Sequence, residues 1–146
     1  MTADDLAALL ADETEDFERR ISHWQFAFYD VPMACLVDEE HDRMRIIAAI
    51  GDADQLDEGS KDAMLAANFH TALDARYGVS NGLVFAAFIH PLGSLDPGLL
   101  RSALEQVASL VHTFGSDFTG GTLEFVGGDD DDESDDDDDE RKRNLN

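Results

Sequence analysis

The chain has 146 residues, enough for one domain, and its 43% hydrophobic content can fill a substantial core. It carries 33 acidic against 10 basic residues, a net charge of −23, which disfavours binding to nucleic-acid phosphates or to anionic membranes. No apolar run approaches the ~18 residues of a membrane span, and "MTADDLAALL" lacks the basic start of a secretory signal, so a soluble, cytoplasmic protein is expected.

The first segment, "TADDLAALLADETEDFERRI", reads as a helix. Thr2 and Asp5 make a capping-box start, and Arg19 and Arg20 suit the negative end of the helix dipole. Leu6, Leu9, Leu10, Phe17 and Ile21 form its apolar face; Glu13 and Thr14 thin that face in the middle, where the helix can break. Trp24, Phe26 and Phe28 then alternate with polar or small residues, the period of a half-buried strand. "VPMACLV" and "MRIIAAI" are two further strands, joined as a hairpin through the polar "DEEHDR" and preceded by the tighter turn "YDVP".

"DADQLDEGSKD" is a loop in which Asp57 or Ser60 caps a second helix running to about Leu73. Its expected apolar face is Met64, Leu65, Phe69, Ala72 and Leu73, while Ala63, Ala66 and Ala67 keep part of it thin enough for another backbone to approach. "ARYGVSNGLVFAAFIHPL" reads as a hairpin about Ser80–Asn81–Gly82, since Asn and Gly tolerate positive φ. Pro91 lacks the N–H that strand pairing needs, and Asp96 with Pro97 is a strong helix start. The last helix carries Leu100, Leu104, Val107, Val111, Phe114 and Phe118 at spacings of four and three, the clearest amphipathic pattern in the chain. "TGGTLEFVGG" follows as a short strand or a loose segment.

From Asp129 to Glu140 the chain holds 11 acidic residues, followed by Arg141, Lys142 and Arg143. This stretch has no apolar content to offset the cost of ordering it, so residues 129–146 are expected to be a disordered acidic tail on a domain spanning 1–128. Residues 1–128 still hold 22 acidic against 7 basic residues, so the domain is itself acidic.

Catalytic chemistry is sparse. The single Cys35 sits in an apolar run and reads as a small core residue. The five histidines, His23, His41, His70, His90 and His112, show no helical metal-pair spacing, and nothing assembles three or four converging zinc ligands. Carboxylate pairs are so abundant that they carry no signal, and "DADQLDEG" lacks the ligand spacing of a calcium loop. No phosphate-binding glycine loop or nucleophile elbow is present. The expectation is a protein without catalytic residues, metal or cofactor; the residues of the aromatic-rich Trp24–Tyr29 segment either pack in the core or, in part, line a groove for another chain.

The order helix, three strands, helix, two strands, helix argues an α+β fold with a mostly antiparallel sheet and helices packed on it. This order resembles the class I type III secretion chaperones (the Tir-chaperone group) and their YbjN-like relatives. "MLAANF" at Met64–Phe69 is similar to the leucine–asparagine stretch of that family's second helix. "YGVSNGLVFAAFIHPLGSLDPGLLRSALEQVASLV" is similar to its final hairpin, crossover and last helix, and "FAFYDVPMACLVDEEHDRMRIIAAI" resembles the YbjN-like first three strands. The resemblance covers roughly residues 3–118. It implies a homodimer without catalysis that keeps a protein client's extended segment in apolar grooves. Carried onto this chain, Ala63, Ala67, Asn68 and Phe69 would lie at the dimer contact, and Leu6, Leu9, Leu10, Trp24, Phe26 and Phe28 would line the client groove. The YbjN-like side of the resemblance implies instead a regulatory adaptor; the acidic tail, which is not part of the family pattern, would then engage basic proteins or mimic nucleic acid.

Overall fold

The computed structural model describes residues 1–114. The expected acidic tail, "TGGTLEFVGG" and Phe118 lie outside them. The elements are helix α1 (Ala3–Glu13), strands β1 (Glu15–Arg19), β2 (Trp24–Phe28), β3 (Val31–Asp38) and β4 (Arg43–Asp52), helix α2 (Glu58–His70), strands β5 (Arg76–Ser80) and β6 (Leu83–Pro91), and helix α3 (Pro97–His112). The fold is α+β, as expected. Among the described residues every strand pairing is antiparallel, in one six-stranded sheet of order β1-β2-β3-β4-β6-β5.

One strand was not anticipated. The single long first helix stops at Glu13, and Glu15–Arg19 forms edge strand β1 against β2. The reason is electrostatic and local. Glu13, Glu15, Asp16 and Glu18 crowd what would be the negative end of a longer helix dipole. Thr14 turns extended, and its hydroxyl donates back to the Leu10 carbonyl, closing the last turn. Phe17 then packs on Trp24 with ring centroids 6.0 Å apart, so the apolar residue read as a helical face becomes a cross-strand partner.

The helix starts follow the sequence closely. Thr2 and Asp5 form the reciprocal capping box, Asp57 accepts from the Ser60 N–H, and Asp96 accepts from the Leu99 N–H with Pro97 leading α3. The turns do too. Tyr29 and Asp30 both have positive φ, as do Asn81 and Gly82, which gives two tight hairpins whose twist matches the sheet.

Two helices cover one face of the sheet: α3 packs across β4 and β6, and α1 across β1 and β2. Leu100, Ala103, Leu104 and Val107 of α3 meet Ile46, Ala48, Ala86 and Phe88 in the main core, all fully buried or nearly so. By contrast, α2 lies beside edge strand β5, so only a narrow side of it is covered. Met64 and Ala67 join the core, while Leu65, Phe69 and Leu73, read as part of the buried face, are 64%, 83% and 72% exposed.

Asn68 explains how α2 is held there. Its side-chain amide donates to the Tyr77 carbonyl at 3.0 Å, and its oxygen accepts from the Tyr77 N–H at 2.8 Å. An amide can do both at once, so one side chain stands in for the next strand of the ladder. Just before β5, the Gln106 oxygen accepts from the Asp74 and Ala75 N–H groups. The β5 border is thus capped by side chains from two helices.

Candidate functional site

The strands alternate, so every core residue has a neighbour aimed at the opposite face of the sheet. On that face the register sets one row across all six strands: Glu18, Gln25, Ala34, Ile47, Ala87 and Arg76. Beside it lie Ala27, Pro32, Ala49 and Phe85, and on the other side Leu36, Arg45 and Ile89 are in register. None of the helices among the described residues packs on this face. Gly78 of β5, in register with Phe85, is open enough that an added Cβ would meet nothing within 4 Å. Ala49 is exposed and Ile89 is 55% exposed.

A trough of about 560 Å³ runs over this surface, floored by Ala27, Pro32, Ala34, Ile47, Ala49 and Phe85, with Asp16 and Glu18 on its β1 rim. Its floor offers shape and apolar area rather than reactive groups. Alanine side chains let a second backbone come close, and Phe85 and Ile47 give area to bury. A second hollow of about 450 Å³, between the β2–β3 turn and α3, is lined by Glu13, Glu15, Asp30 and Glu105, and contains the 3.0 Å Arg101–Glu13 ion pair. Among the described residues, no group of three or more His, Cys, Asp or Glu is arranged to hold a metal, and no helix is long and apolar enough to cross a membrane.

The candidate groove residues lie on the helix-covered side instead. Leu6 and Leu10 are 0% exposed and Phe26 is 4% exposed, and all three belong to the core. Leu9, Trp24 and Phe28 are half-buried against that same core. The structure does bring these six residues together, but around the chain's own interior, so only the rims of Leu9, Trp24 and Phe28 face outward. Of the four residues expected at the dimer contact, Phe69 is freely exposed and Ala63 half-buried. Ala67 is buried within the monomer, and Asn68 is engaged with β5. The sequence signal for the uncovered face was present but unused: "MACLV", "IIAAI" and "VFAAF" are apolar on both faces of a strand, which in a two-layer fold leaves one of those faces without a cover.

The architecture matches solved structures. A chain of the HopA1–SchA chaperone–effector complex superposes with a TM-score of 0.58 at 13% identity, covering 78% of this chain and 97% of that one. The structure of the Yersinia pestis type III secretion chaperone SycH with a fragment of YscM2 gives 0.55 at 13% identity, covering 75% and 98%. YbjN from E. coli gives 0.54 at 10% identity, covering 77% and 91%. The chain has the secretion-chaperone fold. No family model matches its sequence, and neither does any curated protein, so the likeness is one of architecture.

Within the secretion-chaperone fold Cys35 sits on β3 facing the helices, 1% exposed, and burial pushes its thiol up to about 12. The reactive thiolate is then a vanishing fraction at pH 8. Iodoacetamide at pH 8 should therefore leave the native protein unmodified over an hour and alkylate it fully in 6 M guanidinium, as read by intact mass. Rapid native alkylation would show that β3 opens easily. His41 and Asp38 in the β3–β4 turn form an exposed pair at 2.8 Å, and the bonds from the His41 ring and backbone N–H hold the Asp38 carboxyl below its ordinary value.

Proposed function

We propose that the protein is a non-enzymatic, chaperone-like protein that holds a segment of a partner protein on the uncovered face of its sheet, working as a homodimer in the cytoplasm. The observation that carries the proposal is the uncovered face itself. It is an apolar surface spanning β2, β3, β4 and β6, hollowed by a trough, with acidic residues along one rim. Such a patch on an otherwise charged protein is where a partner chain gains most from being buried. The fold shared with a chaperone–effector complex supports the same reading. This assignment moves the partner site from Leu6, Leu10 and Phe26 to Ala27, Ala34, Ile47, Ala49, Phe85 and Ala87, and keeps Leu9, Trp24 and Phe28 as its margin on the other side of β2.

A photo-activated crosslinker, benzoylphenylalanine, at Ala87 of the full chain tests this in extract of the cells that make the protein. A protein adduct is expected from Ala87, and none from the same group at Ser109 on the exposed back of α3. Equal yields from both positions, or no adduct from Ala87, would sink the proposal.

The dimer contact proposed is the outer side of α2, where Leu65 and Phe69 are exposed one turn apart, Leu73 is exposed just beyond the helix end, and Ala63 and Ala66 leave room beside them. Phe69→Asp should convert the dimer to a monomer without unfolding it, because the ring is 83% exposed in the single chain. Light scattering on a sizing column reads the mass directly; an unchanged dimer mass places the contact elsewhere.

The reading as a YbjN-like adaptor whose acidic residues 129–140 engage basic proteins rests on the YbjN match and on those carboxylates. Deleting 129–146 separates the two: an adduct from Ala87 survives the deletion if the face binds the partner and disappears if the acidic run does.

A further inference from the structure

Residues 1–114 contain 20 acidic but only seven basic side chains. Four of the seven pair with carboxylates: Arg19 with Asp4, Arg20 with Glu18, Lys61 with Glu58 and Arg101 with Glu13. The other three are Arg43, Arg45 and Arg76, and by strand alternation all three are set on the uncovered face. Arg43 donates to the His41 and Asp42 carbonyls, and Arg76 to those of Leu73 and Ala75. Neither contact compensates the charge. Asp38 stands opposite Arg43 in the register, but its carboxylate is held by His41. Glu18 shares a row with Arg76 yet lies five strands away, about 24 Å. Arg45, between Leu36 and Ile89, makes no ion pair among the described residues. Among the described residues, three arginines are thus left without a carboxylate, all on a single surface.

We propose that the acidic residues 129–140 of the same chain lie against Arg43, Arg45 and Arg76 and compete with the partner for the uncovered face. The proposal rests on that face being the partner site, and it adds how the site is guarded. Charge complementarity favours this occupant, since 129–140 is the densest run of carboxylates in the sequence. A separate acidic partner would approach against a net charge of −23, whereas a tethered segment is supplied at an effective concentration on the order of millimolar. A second copy would bring the same three arginines and meet repulsion.

Reach is sufficient. Phe114, the last described residue, has its ring 5.5 Å from that of Tyr77, the residue after Arg76 on β5. Tyr77 faces the helices, so the described chain ends on the covered side of the sheet beside its β5 edge, and the path to the arginines rounds that edge. A random coil of 14 residues, the length of 115–128, has an end-to-end distance of about 20 Å. Two residues along β4 separate Arg43 from Arg45 by about 7 Å, and two strands with a two-residue offset put Arg76 about 12 Å farther. A 12-residue acidic run covers that arc in an extended form with length to spare. The contact is between exposed charges, so it should weaken steeply with salt.

The test uses the full chain with Ser134→Cys carrying a nitroxide spin label; the native Cys35 is buried and does not compete for the reagent. Paramagnetic broadening of backbone amides is measured in 50 mM salt. Residues 36, 45, 76–78 and 89 should broaden several-fold more than Ala8 on α1, and the difference should vanish in 0.5 M NaCl. It should also vanish in Arg43→Gln/Arg45→Gln/Arg76→Gln, with Arg45→Gln alone giving a partial loss should the triple variant fold poorly. Broadening that is uniform, centred elsewhere, or retained in these variants overturns the proposal. The Ala87 adduct separates the two levels. An adduct that forms equally well in the wild type and the glutamine variants, without local broadening, removes the guarding segment and leaves the partner site. Local broadening without any adduct removes the partner site and leaves an intramolecular contact.

Discussion

Ala49→Glu is expected to weaken partner binding at least about 100-fold, roughly 2.7 kcal/mol, while leaving the domain folded. Ala49 is exposed on β4 and lines the trough floor beside Phe85. Its methyl group makes no core contact that the fold needs, and a glutamate there costs the strand no more than about 1 kcal/mol in β-propensity. In the complex the same carboxylate would be buried against an apolar segment, with Arg45 four residues along β4 and Arg76 two strands away rather than beside it, and an unpaired buried charge costs several kcal/mol. The difference between those two costs makes the variant diagnostic. The measurement is the yield of the Ala87 adduct alongside the thermal midpoint of the free protein. Loss of the adduct with a midpoint shifted by only a few degrees is expected. Wild-type yield would place the partner off this face, and loss of adduct with unfolding would call for Ala27→Glu as a second probe at the trough's other side.

Asn68→Ala should lower the stability of the domain by about 2–3 kcal/mol. Both hydrogen bonds to Tyr77 go, and each backbone group at that partly buried border costs about 1–3 kcal/mol when its partner is removed. Alanine is the better helix former by about 0.7 kcal/mol at most, which does not offset the loss. A dimer-contact role for Asn68 predicts something different: a change in association with little change in monomer stability. Denaturant unfolding of the Asn68→Ala and Phe69→Asp chains separates the roles. Asn68→Ala should shift the midpoint at an unchanged slope, and Phe69→Asp should shift the mass. Asn68→Asp keeps the acceptor, loses the donor and brings a negative charge to the Tyr77 carbonyl, so it should be at least as unstable as the alanine variant.

Most of the architecture was legible because local signals agreed with one another. Thr2/Asp5, Asp57 and Asp96/Pro97 marked three helix starts, Asn81–Gly82 marked the last hairpin, and the four-and-three spacing of α3 marked the helix that crosses the sheet. Strand β1 was hidden because "DETEDFERR" is charged and carries one aromatic; only its pairing with β2 makes it a strand, and that pairing is not local. The side of the sheet was hidden for a related reason. Alternation in Trp24, Phe26 and Phe28 says that one face of β2 is buried, but whether helices or a partner bury it depends on where α1 and α3 land. Leu6 and Leu10 fall over β2's own neighbourhood, so the most hydrophobic candidates were taken by the core. The alanines of the opposite face are too small to draw notice in a sequence, although Ala34, Ala49 and Ala87 recur at positions where a surface strand would carry polar groups. Asn68 was noticed for its place in the second helix; its role became visible only with the Tyr77 backbone beside it.

The capped border of β5 limits how this molecule can polymerise. Endless growth of a cross-strand ribbon needs two matching borders on every subunit, one to receive and one to offer. Here Asn68 occupies the Tyr77 position of one of them from within, and Gln106 the residues that lead into it, so a copy that joins through β1 presents an obstructed border to the next. Misassociation by that route is expected to slow beyond a pair, which lowers the risk of seeding fibres that a broad apolar sheet surface would otherwise bring.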